Sequence, residues 1–350
     1  MPRFCCPAAL ARSRPRCVPV PLCVSPTSSR SLSTAPAPSP RPARAAAQRA
    51  LLYVPGSNQK MLDKVLAGTL GRGQPDVVTL DLEDSVRTEN KGEARRMVTR
   101  ALQASPNAPA DLRSRKFVRI NSGKLGLDDL EAILASPVAP DGLLLPKVHT
   151  AADLLTVDRF LSSHARLPAH ADLRVIASIE SPLGLLNARE IATCAPARIG
   201  GLLFAAEDYC ASSRLVRTPS RREMLLARQT VVAVAHAYGL QAVDLVCVKY
   251  KGEEAERGLR DEAREGRQMG FTGKQAIHPA QVAIIQEEFA PSAKAIERAQ
   301  AILSQYAAAQ SSGAGAYGLE GKDGSVEMID APMLLQAESI LEQAKAAGLA

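Results

Sequence analysis

From Ala50 onward, short apolar runs alternate with longer stretches in which apolar positions recur every three or four residues. The first pattern suits strands buried on both faces, and the second suits amphipathic helices. Their regular alternation, joined by short connections, argues for a parallel sheet. The strands are expected at Leu51–Pro55, Val77–Leu82, Phe117–Asn121, Leu143–Val148, Val175–Ile179, Ile199–Phe204, Ala242–Val246 and Gly273–Ile277. The helices between them are expected at Gln59–Ala67, Lys91–Gln103, Leu127–Leu134, Ala151–Ser163, Leu183–Cys194, Arg221–Tyr238 and Glu253–Met269, with a further one opened by Pro279. Asn58 stands where an N-cap belongs, and Gly239 and Gly270 follow the last helical residues of their segments. Eight strand–helix units over Leu51–Phe289 predict a (β/α)8 TIM barrel.

The pattern continues past the barrel as a C-terminal extension over residues 291–350. It comprises a helix at Ala293–Gln310, a Gly/Ala-rich loop, a hairpin at Tyr317–Ile329 turning at Lys322-Asp323-Gly324, and a last helix at Pro332–Ala346. One carboxylate, Asp330, stands just before that helix. The string from Gly313 to Gly318 matches G-x-G-x-x-G but follows a helix instead of a strand, so it lacks the context of a dinucleotide site.

Charge changes the picture only once it is located. The chain of 350 residues carries a formal charge of +7, yet residues 1–48 hold seven Arg and no acid, leaving 36 basic against 36 acidic residues beyond them. A neutral body with 3% aromatic residues has no electrostatic footprint for nucleic acid. Residues 1–48 are rich in Ser, Pro, Ala and Arg, the profile of an organelle transit peptide, read as mitochondrial import ahead of a plastid or a disordered basic tail, with the barrel domain expected over 49–290. Four of the seven cysteines fall in that segment; Cys194, Cys210 and Cys247 show no metal-ligand spacing. No apolar run has the length of a membrane span, and neither a Walker A sequence nor a nucleophile elbow occurs.

Barrel enzymes carry their sites at the carboxyl ends of the strands. The residues expected there are Tyr53 and Pro55, Glu83 and Asp84, Arg119 and Asn121, Lys147, Glu180, Glu207 and Asp208, Asp244, and His278. Glu180 and Asp208 end neighbouring strands, and two carboxylates meeting there form either a divalent-metal site or an acid/base pair. All-oxygen ligation at an open position suits Mg²⁺ or Mn²⁺ better than zinc. Asp81, Glu83 and Asp84 lie too close together to be stable without a cation among them, and Arg119 is the candidate. Lys60 and Lys64, one helical turn apart, form either a solvated face or a phosphate clamp.

Several segments then carry a resemblance: Leu52-Tyr-Val-Pro-Gly56, Leu80-Asp-Leu-Glu-Asp84, Val118-Arg-Ile-Asn-Ser122, Leu145-Pro-Lys147, Ile179-Glu-Ser-Pro-Leu-Gly184, Glu207-Asp-Tyr209, Gly270-Phe-Thr-Gly-Lys-Gln275 with Ile277-His-Pro279, and Met328-Ile-Asp-Ala-Pro332. In this order they resemble the CitE-like branch of the HpcH/HpaI aldolase superfamily. The resemblance implies Mg²⁺-dependent carbon–carbon cleavage of (3S)-citramalyl-CoA to acetyl-CoA and pyruvate, with malate synthase activity on the side and malyl-CoA as the rival substrate. It implies Glu180 and Asp208 as metal ligands and Arg119 as the neutraliser of an oxyanion. Tyr53, Lys60, Lys64, Ile277 and His278 would be contacts to coenzyme A, and Asp330 the acid/base, delivered to a neighbouring subunit of a homotrimer in the mitochondrial matrix. The chain departs from the family at Phe204-Ala-Ala-Glu207 and in the basic loop holding Arg214 and Arg217, which bear on acyl-group preference.

Overall fold

The computed structural model describes residues 48–67, 73–104, 114–312, 317–320 and 326–349. The expected import segment, apart from Gln48, and the hairpin turn at Lys322-Asp323-Gly324 lie outside them. The elements run β1 Ala50–Pro55, α1 Gln59–Leu66, β2 Val77–Asp81, α2 Lys91–Gln103, β3 Arg115–Arg119, α3 Gly123–Leu134, β4 Gly142–Leu145 and α4 Ala151–His164. There follow α5 Pro168–Ala171, β5 Val175–Ile179, α6 Pro182–Leu186, α7 Ala188–Thr193, β6 Ile199–Phe204, α8 Ala206–Ser213 and α9 Leu225–Ala237. The barrel closes with β7 Gln241–Asp244, α10 Glu253–Met269, β8 Gly273–Ala276 and α11 Ala280–Phe289. All neighbouring strands β1 to β8 pair in parallel, and β8 pairs back onto β1. The expected TIM barrel is therefore the fold.

Side-chain parity along the strands builds two apolar layers. Leu52, Val54, Val78, Leu80, Val118, Val175 and Leu202 point outward and pack under the helices. Leu51, Val77, Phe117, Leu144, Ile176, Leu203 and Val243 point inward and plug the barrel. Burial of each such side chain stabilises the fold by about 1.5–3 kcal/mol. Gly142 is required beside the inward Phe117, because a Cβ there would lie 2.6 Å from the ring. Between β5 and β6 the register shifts, since Val175 pairs with Ile199 while Ile176 pairs with Gly201. Gly200 is the extra residue of that bulge and sets the parity of everything after it.

Two helices differ from the pattern read in the sequence. The stretch Leu183–Cys194 is not one helix but two, broken at Asn187, whose amide Nδ2 donates to His149 O at 2.8 Å. The segment from Arg221 opens as a 3-10 turn, Arg222–Met224, because Arg221 is itself left-handed at φ 54°. Beyond the barrel, α12 Ala293–Ser312 packs on α13 Ala331–Ala346, with the antiparallel pair β9 Tyr317–Glu320 and β10 Val326–Ile329 between them in sequence. Ala299, Ile302, Ile329 and Ala337 form a small core of their own there.

Candidate metal site at the barrel mouth

The same parity that plugs the barrel with apolar side chains turns polar ones inward at the carboxyl ends. Two residues beyond Leu51 is Tyr53, beyond Phe117 is Arg119, and beyond Ile176 are Ser178 and then Glu180. Together with Asp81, Asp84, Gln275, Ile277 and the first turn of α8 they line a cavity of about 480 Å³.

Arg119 organises one wall. Its Nε and Nη2 each lie 2.6 Å from an oxygen of the buried Asp81, a bidentate pair, and its Nη1 lies 3.1 Å from Glu83 Oε2. Asp81 also accepts from Glu83 N at 2.9 Å, Ser85 N at 3.2 Å and the Ser85 hydroxyl. Burial pushes the Asp81 carboxyl up, but the Arg119 hydrogen bonds outweigh it and hold it below the ordinary range. Burial likewise opposes the Arg119 charge, and the Asp81 bonds again prevail. The guanidinium stacks 4.8 Å over the Tyr53 ring, whose hydroxyl donates to Gln275 Oε1 at 3.0 Å. Burial raises the Tyr53 phenol well above its usual value despite that cation, so it stays a neutral donor. The three carboxylates at the end of β2 thus have the cation that the sequence demanded.

Glu83 differs from its neighbours. Burial and the adjoining Asp84 push its carboxyl up to about 7, against Arg119 and Lys147. Lys147 Nζ pairs with Glu83 Oε1 and lies 3.2 Å from Asp84 Oδ1.

Glu180, 5% exposed, forms no ion pair with a described residue. Burial raises its carboxyl, and the Asp208 charge raises it further; the Lys147 main chain and the Ser178 side chain act the other way. Ser178 Oγ is itself buried without a hydrogen-bond partner of good geometry. Asp208 lies in the first turn of α8, not at a strand end as expected, with Glu207 beside it. Carboxylates are favoured in that turn by the helix dipole. Arg217 pairs with Glu207, which lines the cavity together with Asp208 and Glu180.

This donor set fits Mg²⁺ or Mn²⁺. Two hard oxygen ligands repel one another in a cavity roomy enough for water and substrate, the open arrangement in which Mg²⁺ is commonly held. Among the described residues no three His, Cys, Asp or Glu side chains converge tightly enough to bind a metal alone. The remaining positions would therefore fall to water and substrate.

The other expected residues are placed as follows. Ile277 lines the cavity, 41% exposed. His278 stands beside it but stacks on Tyr250, ring centroids 4.8 Å apart. Lys60 and Lys64 are exposed on α1 outside the lining. Asp330 is also outside it: exposed, it caps α13 by accepting from Met333 N at 3.1 Å. Asp244 and Asn121 are not at the mouth. Asp244 has the opposite parity to Val243 and pairs with the buried Arg228 at 2.8 Å. Asn121 binds Asp129 and Leu82 O behind β2. Cys210 packs 3.5 Å from Met224 Sδ, and burial raises its thiol above the ordinary range. Gln275 and Ser178 were not singled out in the sequence, although strand parity points to both.

Residues 49–279 match the family model described as HpcH/HpaI aldolase/citrate lyase, and residues 220–349 match that of a C–C bond lyase of the TIM-barrel fold. The chain is 35% identical over 304 residues to the mitochondrial citramalyl-CoA lyase of Homo sapiens, covering 83% of this chain and 84% of that protein. It is 34% identical over 312 residues to the citrate lyase beta subunit of Escherichia coli K12, covering 87% and 96%. The solved structure of the protein CitE from Mycobacterium tuberculosis in complex with magnesium, acetoacetate and coenzyme A superposes with a TM-score of 0.65 at 29% identity, covering 87% and 99%.

Proposed function

The chain belongs to the HpcH/HpaI aldolase/citrate lyase family, and from that premise we propose that it is a Mg²⁺-dependent carbon–carbon lyase cleaving (3S)-citramalyl-CoA to acetyl-CoA and pyruvate. One observation carries the reading: the buried Glu180 lines the same cavity as Asp208 and Arg119. Glu180 and Asp208 would hold the ion. When bound, it would supply Lewis-acid stabilisation of charge on the substrate's carboxylate and the neighbouring oxygen.

Cleavage breaks the bond between the acetyl methylene and the carbinol carbon. The hydroxyl gives its proton to solvent and becomes the ketone of pyruvate, and the bonding electrons pass to the thioester as an enolate. One proton on carbon then completes the methyl group. Arg119, its Nε and Nη2 committed to Asp81 and its Nη1 3.1 Å from Glu83 Oε2, presents the N–H groups that these pairs leave over to that negative charge. Asp330 is the acid that returns the proton. Asp330 lies outside its own chain's cavity, which supports a role in the site of a neighbouring copy within a homotrimer. Tyr53, Lys60, Lys64, Ile277 and His278 contact coenzyme A. Condensation with glyoxylate gives a weak malate synthase activity, and residues 1–48 direct the chain to the mitochondrial matrix.

Two assays test this. Pyruvate release from (3S)-citramalyl-CoA is measured beside glyoxylate release from malyl-CoA; faster malyl-CoA turnover would refute the substrate while leaving the chemistry. Asp330→Asn and Glu180→Gln chains, each inactive, are then co-expressed. Random mixing restores roughly a quarter of the activity if the site is shared between copies. No recovery would refute the shared site.

A further inference from the structure

Lys147 is expected at the mouth from its place after β4, but its backbone conformation is not anticipated by sequence periodicity. It sits two residues past the end of β4 with φ 53°, one of three non-glycine residues with positive φ among those described. A lysine gains nothing locally from the left-handed region, and such a conformation persists only where its surroundings over-determine it.

The surroundings here do so from both sides. Pro146 restricts the preceding backbone. Val148 N donates to Ser178 O at 3.2 Å, tying the next residue to β5. Gly184 presses on Val148 O so closely that a Cβ would stand 2.5 Å away. His149 then meets Ser181 Oγ at 2.7 Å, and its carbonyl accepts from Asn187. The chain after Lys147 is thereby fastened to the segment that bears Glu180.

The left-handed turn separates the two ends of Lys147. The backbone that follows it is tied by Val148 N to Ser178 O on β5, two residues before Glu180. The Lys147 ammonium crosses to the end of β2, pairing with Glu83 and Asp84. Lys147 and Val148 together therefore link β2, β4 and β5. An ordinary extended residue at this position would not be turned to serve both neighbours.

We propose that Lys147 is a positioning residue: its strained turn and its clamp on Glu83 and Asp84 hold the Glu180 carboxyl in its metal-binding orientation before any ion arrives. The inference rests on the reading of Glu180 as a metal ligand. It adds a residue that touches neither ion nor substrate and acts through Glu180.

Sign separates this role from simple proximity of charge. A lysine acting only as a nearby cation would repel the ion, so its removal would leave affinity unchanged or tighten it. A positioning lysine does the opposite.

The test is calorimetric titration of MnCl2 into the full chain without substrate, for wild type, Glu180→Gln, Lys147→Ala, Lys147→Gly and Lys147→Arg, with melting temperatures taken alongside. Lys147→Ala and Lys147→Gly should weaken Mn²⁺ binding at least tenfold, while Lys147→Arg stays within about threefold of wild type. Lys147→Gly, freed of the left-handed strain, should melt roughly 2–4 °C above Lys147→Ala and still bind poorly. That split between stability and affinity excludes a merely structural role. Unchanged or tighter binding by the Ala and Gly variants would overturn the proposal. Wild-type binding that Glu180→Gln retains would refute the metal reading itself, and the proposal with it.

Discussion

Replacing Arg119 by Met tests the electrostatic frame of the mouth. The guanidinium holds both oxygens of Asp81 at 2.6 Å, and Asp81 is 1% exposed. Removing one partner of a buried pair costs about 3–5 kcal/mol, because the remaining charge is left uncompensated. Asp81 keeps two backbone donors, at 2.9 and 3.2 Å, and the Ser85 hydroxyl, which places the cost near the lower bound, about 3 kcal/mol. With a urea dependence of about 3 kcal/mol/M, the unfolding midpoint should fall by roughly 1 M. The pH dependence has a definite sign. The folded-state pKa of Asp81 lies below its ordinary 3.8. The pairing therefore contributes fully above that ordinary value and is lost only as pH falls through the depressed one. Without Arg119 the Asp81 carboxyl rises and takes up a proton more readily on acidification. The stability gap between wild type and variant should thus be widest near neutral pH and shrink toward pH 4. Urea titrations at several pH values measure it. A gap below 1 kcal/mol at neutral pH, or one that stays constant down to pH 4, would show that the pair does not hold the mouth together.

Three further outcomes are expected. Glu83, raised from 4.5 to about 7, binds a proton in the folded state that the unfolded chain lacks between those values, so its contribution falls as pH rises through that window, by at most about 3 kcal/mol. Glu83→Gln should flatten that slope in urea titrations, and an unaltered slope would assign the titration elsewhere. Gly184→Ala must displace Val148 O, 2.5 Å from the new Cβ, and should cost about 1–3 kcal/mol in stability, read as a lower urea midpoint. Phe204→Ala empties a fully buried site at the end of β6 and should cost about 3–5 kcal/mol by the same assay; a cost under 1 kcal/mol would mean that the outer layer is not close-packed there.

The barrel was legible because its strands are buried on both faces and its helices are amphipathic, so the two periods separate cleanly. The acidic mouth was legible for the same reason: in a barrel, strand ends converge. Misplacements arose where parity or local bonding overrides position in the chain. Asp244 ends β7 as Glu180 follows β5, but it faces outward to Arg228. Only the register, shifted by the Gly200 bulge, decides such parity. The break at Asn187 depends on a bond to His149, 38 residues away. Asp208 rides on a helix too short to show a period. The left-handed Lys147 leaves no local trace at all, since lysine is not a turn residue and the contacts that hold it come from β5 and α6.

The central proposal is that Glu180 and Asp208 hold a divalent ion on which carbon–carbon cleavage of an acyl-coenzyme A depends. Its most direct test is pyruvate release from (3S)-citramalyl-CoA by the wild type and Glu180→Gln, with Mg²⁺ titrated in from chelator-treated protein. Release that rises with Mg²⁺ to saturation, and that the variant lowers at least a thousandfold, is the predicted result. Release indifferent to chelation, or retained by the variant, would contradict the account.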